Sequence, residues 1–194
     1  MSALLPLAAR AQPVAGVVHE LSGEVLLNGF AMDVNSALLA GQTISTGADG
    51  RVWFSFGGDA FFLRPNSRLR MDATAPSEPL IDFLRLFTGA LGATFAKGRR
   101  RSLVTPTATI GIRGTGVYLE SSRDETYACT CFGSVEIESP MTRTMMGAVT
   151  VQTENHRARR ILRGTSIEPA AFARHTNGEM IRLESLVGRP DPFR

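Results

Sequence analysis

The sequence predicts an all-β fold, a sandwich, roll or barrel of about ten or more short strands, followed by one C-terminal amphipathic helix. Three observations carry that reading. Glycine makes up 19 of 194 residues, roughly a tenth against a usual ~7%, which favours a turn-rich chain over a helical bundle. Short apolar runs punctuated by Gly, Pro, Asn and Asp follow one another at fairly even spacing, as in β-sandwiches and barrels. Helical spacing is confined to the end of the chain. A short β-solenoid would share the turn density, but no fixed repeat period is present.

Taken in order, Val17 to Leu21 and Glu24 to Asn28 flank Ser22-Gly23, which reads as a hairpin. Gly41 and Gly47 to Gly50 mark the next turns. Arg51 to Phe56 is a strand by its β-branched and aromatic content. Gly57-Gly58-Asp59 turns it into Ala60 to Arg64, and Pro65-Asn66-Ser67 turns that into Arg68 to Asp72. Residues 75–79 read as a loop. Leu80 to Phe87, flanked by Gly89, reads as a strand, with Ala90 to Ala96 after it. A basic loop, Lys97 to Arg101, precedes the aperiodic stretch Val104 to Thr115. Strands follow at Gly116 to Ser121, Thr126 to Phe132, Ser134 to Glu138 and Ala148 to Thr153. The Arg-rich stretch His156 to Arg163 comes next. In Glu179 to Val187 the apolar Met180, Leu183, Leu186 and Val187 keep the spacing of an amphipathic helix. Thr176 or Asn177 can cap it, with Glu179 in the first turn; Gly188, Pro190 and Pro192 end it.

Composition narrows the function. With 43% hydrophobic and 20% charged residues the chain is not intrinsically disordered as a whole, and no run of about 18 apolar residues offers a membrane-spanning helix. The net charge is +3, too mild to imply nucleic acid. Lys97 is the sole lysine against twenty arginines. At the N-terminus an apolar run ends in Ala9-Arg-Ala11, the small-x-small pattern of a secretory cleavage site, although no basic region precedes it. Residues 1–11 are therefore expected to be a signal peptide with a late start codon, and the mature protein to lie in the periplasm, an oxidising compartment. The remaining organisation is a β domain over 12–163 and a C-terminal extension over 164–194.

Two stretches carry a resemblance. Leu39-Ala-Gly-Gln-Thr-Ile-Ser-Thr-Gly-Ala-Asp-Gly-Arg-Val52 is the first. Thr105-Pro-Thr-Ala-Thr-Ile-Gly-Ile-Arg-Gly-Thr115, followed by a strand and Cys131-Phe-Gly-Ser-Val135, is the second. Together they resemble the FecR domain family over roughly residues 14–140, with Thr105, Pro106, Gly111, Arg113, Gly114 and Thr115 falling on the more specific motif. The resemblance implies a periplasmic, β-rich, non-enzymatic signalling module that recognises an envelope protein partner. In members that regulate iron uptake, the domain hears from an outer-membrane transporter and a membrane helix links it to sigma-factor control; this chain reads as a stand-alone version. Pro106, which cannot donate to a ladder, is expected at a strand start or edge. Arg113 is expected to staple neighbouring turns, or else to dock an anionic ligand.

Cys129-Thr-Cys131 is the most informative chemistry. In a strand Tyr127, Cys129 and Cys131 share a face, and Cα atoms ~6.5–7 Å apart sit at the upper limit for a disulfide. Three readings stand: inert core cysteines, a strained redox-active disulfide, or a thiolate pair on a metal. His156 and His175 can fold back to complete a tetrahedral zinc site, and copper(I) also suits soft thiolates; His19 is the third histidine. Arg99, Arg100, Arg101, Arg157, Arg159 and Arg160 form either a solvated loop and a charged edge strand or a surface for an anionic partner, including a membrane surface. Met141, Met145 and Met146 are a fainter copper signal. No nucleophile elbow, metalloprotease, phosphate-loop or dinucleotide motif is present, so no enzyme is expected.

Overall fold

The computed structural model describes residues 16–73, 81–139, 148–164 and 166–194. The cleavage-site region, the 75–79 loop and the three loop methionines lie outside them. Fourteen strands join one continuously hydrogen-bonded sheet: β1 (Val17–Ser22), β2 (Val25–Leu27), β3 (Phe30–Ala31), β4 (Thr43–Thr46), β5 (Arg51–Phe56), β6 (Asp59–Leu63), β7 (Arg68–Asp72), β8 (Phe83–Thr94), β9 (Arg100–Val104), β10 (Thr109–Ser121), β11 (Glu125–Glu138), β12 (Val149–Thr153), β13 (Arg157–Leu162) and β14 (Ile167–Ala170). Among the described residues one helix, α1 (Asn177–Leu186), follows. The predicted all-β class with a terminal helix is what the chain forms.

The long strands organise the sheet. The first half of β8 lies between β7 and a parallel β9, and its second half lies between β6 and β10. One face of the sheet encloses the main core, in which Phe54, Phe61, Leu69, Leu84, Leu91, Leu103 and Leu119 are fully buried. The opposite face carries a second cluster of Phe62, Ala90, Tyr118, Tyr127, Cys129, Cys131 and Ala158. That face is covered by α1 through Met180 and Leu183, both 0% exposed. Burying two such side chains stabilises the docked helix by about 1.5–3 kcal/mol each. Thr176 caps α1 through a reciprocal box with Glu179, and Gly188 at φ 69° supplies the left-handed residue beyond its end. Arg189 ties the tail down, donating to both Glu184 carboxylate oxygens at 2.7 and 2.8 Å and to Thr94 Oγ1 at 2.9 Å.

The Thr105-to-Thr115 motif has a structural account. Thr105 N–H donates to Ala108 O at 2.8 Å, and Thr105 Oγ accepts from Ala108 N–H at 3.0 Å. A tight turn thus joins β9 to β10, with Pro106 in the turn rather than at a strand edge. Further on, the inward side of β10 changes parity: Ile110 and Ile112 face the main core before the bulge, Val117 and Leu119 after it. The extra residue falls at Gly114-Thr115, where Gly114 sits at φ 59°. On β11 the extra residue is Cys131, between Thr130 and Phe132, and it moves the outward side from Cys129 and Cys131 to Ser134 and Glu136; Gly133, at φ 85°, lies opposite Gly114-Thr115. Thr115 Oγ pins the two bulges, donating to Ser134 O at 2.8 Å and accepting from Ser134 N–H at 3.1 Å. Bulges of this kind re-aim side chains locally.

Several expectations change. β1 and β2 do not form a hairpin: β1 pairs with β5, while β2 pairs with β3 and β4. Gly23, at φ 66°, packs against Asp49 and directs the chain away from β1. Leu80 to Ala96 does not divide at Gly89; β8 runs through it. The Arg-rich strand β13 is not an edge, since β14 pairs on its far side. Arg113 does not staple turns among the described residues: its side chain is exposed.

Candidate metal centre

The ligating atoms of Cys129, Cys131, His156 and His175 all lie within 4.8 Å of one another. Three elements bring them there. β11 presents both thiols on one face, 1% and 0% exposed, through the two-residue strand period. The turn between β12 and β13 presents His156, whose N–H donates to Cys131 O at 3.0 Å. His156 adopts φ 38°, an uncommon left-handed conformation for a residue other than glycine. The segment leading into α1 presents His175, directly after Arg174 at φ 70°.

Three of the separations between these atoms are close to those of a coordination tetrahedron. Cys131 Sγ lies 3.3 Å from His175 Nε2, and Cys129 Sγ lies 3.6 Å from His156 Nδ1. The two imidazole nitrogens, His175 Nε2 and His156 Nδ1, are 3.3 Å apart. A tetrahedral zinc ion with Zn–S near ~2.3 Å and Zn–N near ~2.05 Å has S···N edges of about 3.6 Å and an N···N edge of about 3.3 Å.

The outer nitrogens of both rings are engaged. His175 Nδ1 donates to Ala173 O at 2.9 Å, because a carbonyl can only accept. Its Nε2 lone pair is thereby left facing the thiols. His156 Nε2 donates to Asn177 Oδ1 at 2.6 Å, leaving its Nδ1 lone pair facing the same point. Such second partners fix the tautomer and aim of a metal-bound histidine. The neighbouring Cys131 thiol, outweighing burial, holds the Cys129 thiol well below its usual value. Deep burial pushes Cys131 the other way.

Aromatic rings wall the site. Tyr118 stacks on His175 at 4.4 Å and 18°. Phe172 packs on both imidazoles at 4.2 and 4.8 Å, and Phe193 from the tail lies over His156 at 5.4 Å. A tetrahedral ion held by all four donors would have no position left for a substrate, the arrangement of a structural rather than a catalytic centre. Neither Asn177, weighed in the sequence only as a possible cap, nor the aromatic wall stood out among the sequence-predicted site residues. The one signal for Asn177 was its place two residues after His175.

The other candidates do not join this centre. His19 bonds Ser55 Oγ at 2.9 Å elsewhere. The cysteines form no disulfide and are free thiols. The arginines do not make one surface. Arg101 is buried, with its Nε 2.8 Å from Asp59, and Arg99 pairs with Asp82 at 2.6 Å. Arg159 and Arg160 are strand neighbours and so point to opposite faces; Arg160 lies 3.2 Å from Glu125. Arg100 and Arg157 are exposed.

No family model and no curated protein matches the sequence. Among solved structures, the fold is similar to two crystal structures of a proposed anti-sigma factor from Parabacteroides distasonis, each at TM-score 0.54 and 12% sequence identity. The first match covers 66% of this chain and 58% of that one; the second covers 72% and 71%. This chain therefore spans less than two thirds of the first of them. None of the described helices is long and apolar enough to cross a membrane. At this identity the likeness is one of fold: a β-rich sheet shared with those proteins.

Proposed function

We propose that this chain is a FecR-like, non-enzymatic regulatory module of the cell envelope whose Cys129, Cys131, His156 and His175 hold one zinc ion. The observation that carries the metal is the convergence of two thiols and two imidazoles whose ligating atoms lie within 4.8 Å of one another, with three separations of 3.3, 3.6 and 3.3 Å close to the edges of a zinc tetrahedron. Two thiolates with two imidazoles in tetrahedral array are zinc chemistry first, with copper(I) the competing d10 ion. The ion would join β11, the β12–β13 turn and the entry to α1, elements far apart in sequence. Metal-binding energy is then folding energy for the C-terminal segment. The regulatory reading draws on the Thr105-to-Thr115 motif and on the fold shared with proteins described as anti-sigma factors; its partner would be an envelope protein, and its compartment the periplasm.

Cobalt(II) substitution tests the site. Apo protein titrated with cobalt should develop the intense visible bands of a tetrahedral ion and a sulfur-to-cobalt charge-transfer band, saturating at one equivalent. Zinc should abolish both. Weak bands of six-coordinate cobalt, or spectra unchanged in a Cys129→Ser/Cys131→Ser variant, would remove the metal reading. Copper(I) displacing zinc at equal concentration would change the identity of the ion and leave the site standing.

A further inference from the structure

The Gly111-to-Thr115 segment plays no part in the metal centre, and its arginine faces solvent. The direct cross-strand partner of Arg113 is Arg100, also exposed. Like charges opposite one another weaken a ladder. Neighbouring arginines are neutralised, Arg99 by Asp82 and Arg101 by Asp59, but Arg100 and Arg113 make no ion pair among the described residues. A third cation joins them. The stem of Lys97 lies over Gly114, so close that a Cβ there would meet Lys97 Cγ at 2.6 Å. Lys97, Arg100 and Arg113 together line a basin of about 320 Å³. Strand alternation after the inward Ile112 sets Arg113 outward, and the absence of a Cβ at Gly114 in the bulge makes room for Lys97 beside it.

On the other side of the arginine pair, a cavity of about 450 Å³ opens over Gly111. Phe83, Ser102, Ser134 and Glu136 line it. The two cavities share Arg100 and Arg113 but differ in chemistry: one is wholly basic, the other offers an aromatic face, hydroxyls and two carboxylates, Glu136 and the Arg99-paired Asp82.

We propose that Lys97, Arg100 and Arg113 bind the phosphate of a phosphomonoester, and that its polyhydroxy body lies in the cavity over Gly111. Three cations are matched by a doubly charged oxyanion better than by a single carboxylate, and guanidinium forks fit phosphate oxygens bidentately. Glu136 disfavours a second phosphate in the cavity and accepts from sugar hydroxyls, while Phe83 supplies an apolar face for the ring. The same headgroup chemistry occurs in free sugar phosphates and in phosphorylated glycolipids, so the test includes both sources.

The experiment follows amide shifts of the full chain, as purified, on titration with glucose 1-phosphate and, separately, with inorganic phosphate at constant ionic strength. Saturable shifts confined to residues 97–101 and 111–115, with glucose 1-phosphate also moving Ser102 and Ser134, are expected. Arg113→Gln and Arg100→Gln should each weaken binding at least about tenfold, the loss of a charge-assisted hydrogen bond. Arg157→Gln, an exposed arginine elsewhere, should leave it unchanged. Without ligand, Arg113→Gln should melt no lower than wild type, since it relieves like-charge repulsion. Sedimentation with phosphatidylcholine vesicles carrying a phosphorylated glycolipid, lost in Arg113→Gln, would assign the lipid source; its absence alongside soluble binding would assign the free sugar phosphate. No saturable shift with either soluble probe or vesicles, shifts reproduced by sodium chloride, or binding indifferent to Arg113→Gln would each overturn the proposal.

Discussion

Replacing Asp59 by alanine should be among the most damaging single changes in this domain. The Asp59 carboxylate accepts from Arg101 Nε at 2.8 Å and from Ala96 N–H at 2.8 Å, and both charged side chains are almost wholly buried, at 3% and 2% exposed. Arg101 Nη1 already has no hydrogen-bond partner among the described residues. Deleting the carboxylate leaves a buried guanidinium uncompensated, a loss of about 3–5 kcal/mol. For a chain of this size that lowers the melting temperature by about 6–20 °C. Urea unfolding, followed by the fluorescence of the lone tryptophan Trp53 and by circular dichroism, reads it directly. The double variant Asp59→Leu/Arg101→Met should recover most of the loss, because a well-packed neutral pair escapes the desolvation of two charges. The pH dependence has a definite sign. Burial raises the Asp59 carboxyl, outweighing the Ala96 N–H and Arg101, which pull it down. The folded state therefore holds that proton more tightly than the unfolded chain. The stability this confers is complete below the unfolded value of ~3.9 and is lost as pH rises through the folded one. Wild type should lose ground to the double variant as pH rises across that window. An Asp59→Ala loss under about 1 kcal/mol, or a double variant no better than the single, would refute the reasoning.

Other changes probe the remaining supports. Asn177→Ala removes the acceptor that orients His156 and should weaken zinc affinity about 10–100-fold, measured by chelator competition, with the helix retained by its Thr176 cap. Leu183→Ala empties a fully buried site under α1 and should cost about 2–5 kcal/mol in a denaturant titration. Gly133→Val places a Cβ 2.8 Å from Thr115 Oγ and 3.0 Å from Gly114 O, at a φ of 85°. Strain of that kind costs about 1–3 kcal/mol, visible as a lowered melting temperature.

The strand succession and the terminal helix were legible because their signals are local. The β5–β6 hairpin at Gly57-Gly58 and the Thr176 cap with Glu179 depend on residues a few positions apart. Pairing order was not legible: Ser22-Gly23 has hairpin chemistry, yet Val18 and Leu21 are satisfied by Phe54 and Val52 of β5 instead. β14 escaped notice because Ile167-Glu-Pro-Ala170 is short and holds a proline, as edge strands tolerate. In the site, Cys129 and Cys131 were visible as a shared strand face. His156 and His175 were only compatible partners, because their approach depends on how the β12–β13 turn and the entry to α1 cross the sheet. Charge runs misled for a physical reason: alternation in a strand sends adjacent arginines to opposite faces, so Arg101 could enter the core while Arg100 stayed in solvent.

The central claim is that one metal ion ties the C-terminal segment to the sheet through two thiolates and two imidazoles. Native and denaturing intact mass, with elemental analysis of the same sample, tests it most directly. The account predicts one zinc per chain in the native spectrum, lost on denaturation, with both Cys129 and Cys131 then alkylated as free thiols. A native protein free of metal and unable to take up zinc, or a denatured mass two hydrogens light from a Cys129–Cys131 disulfide, would contradict it.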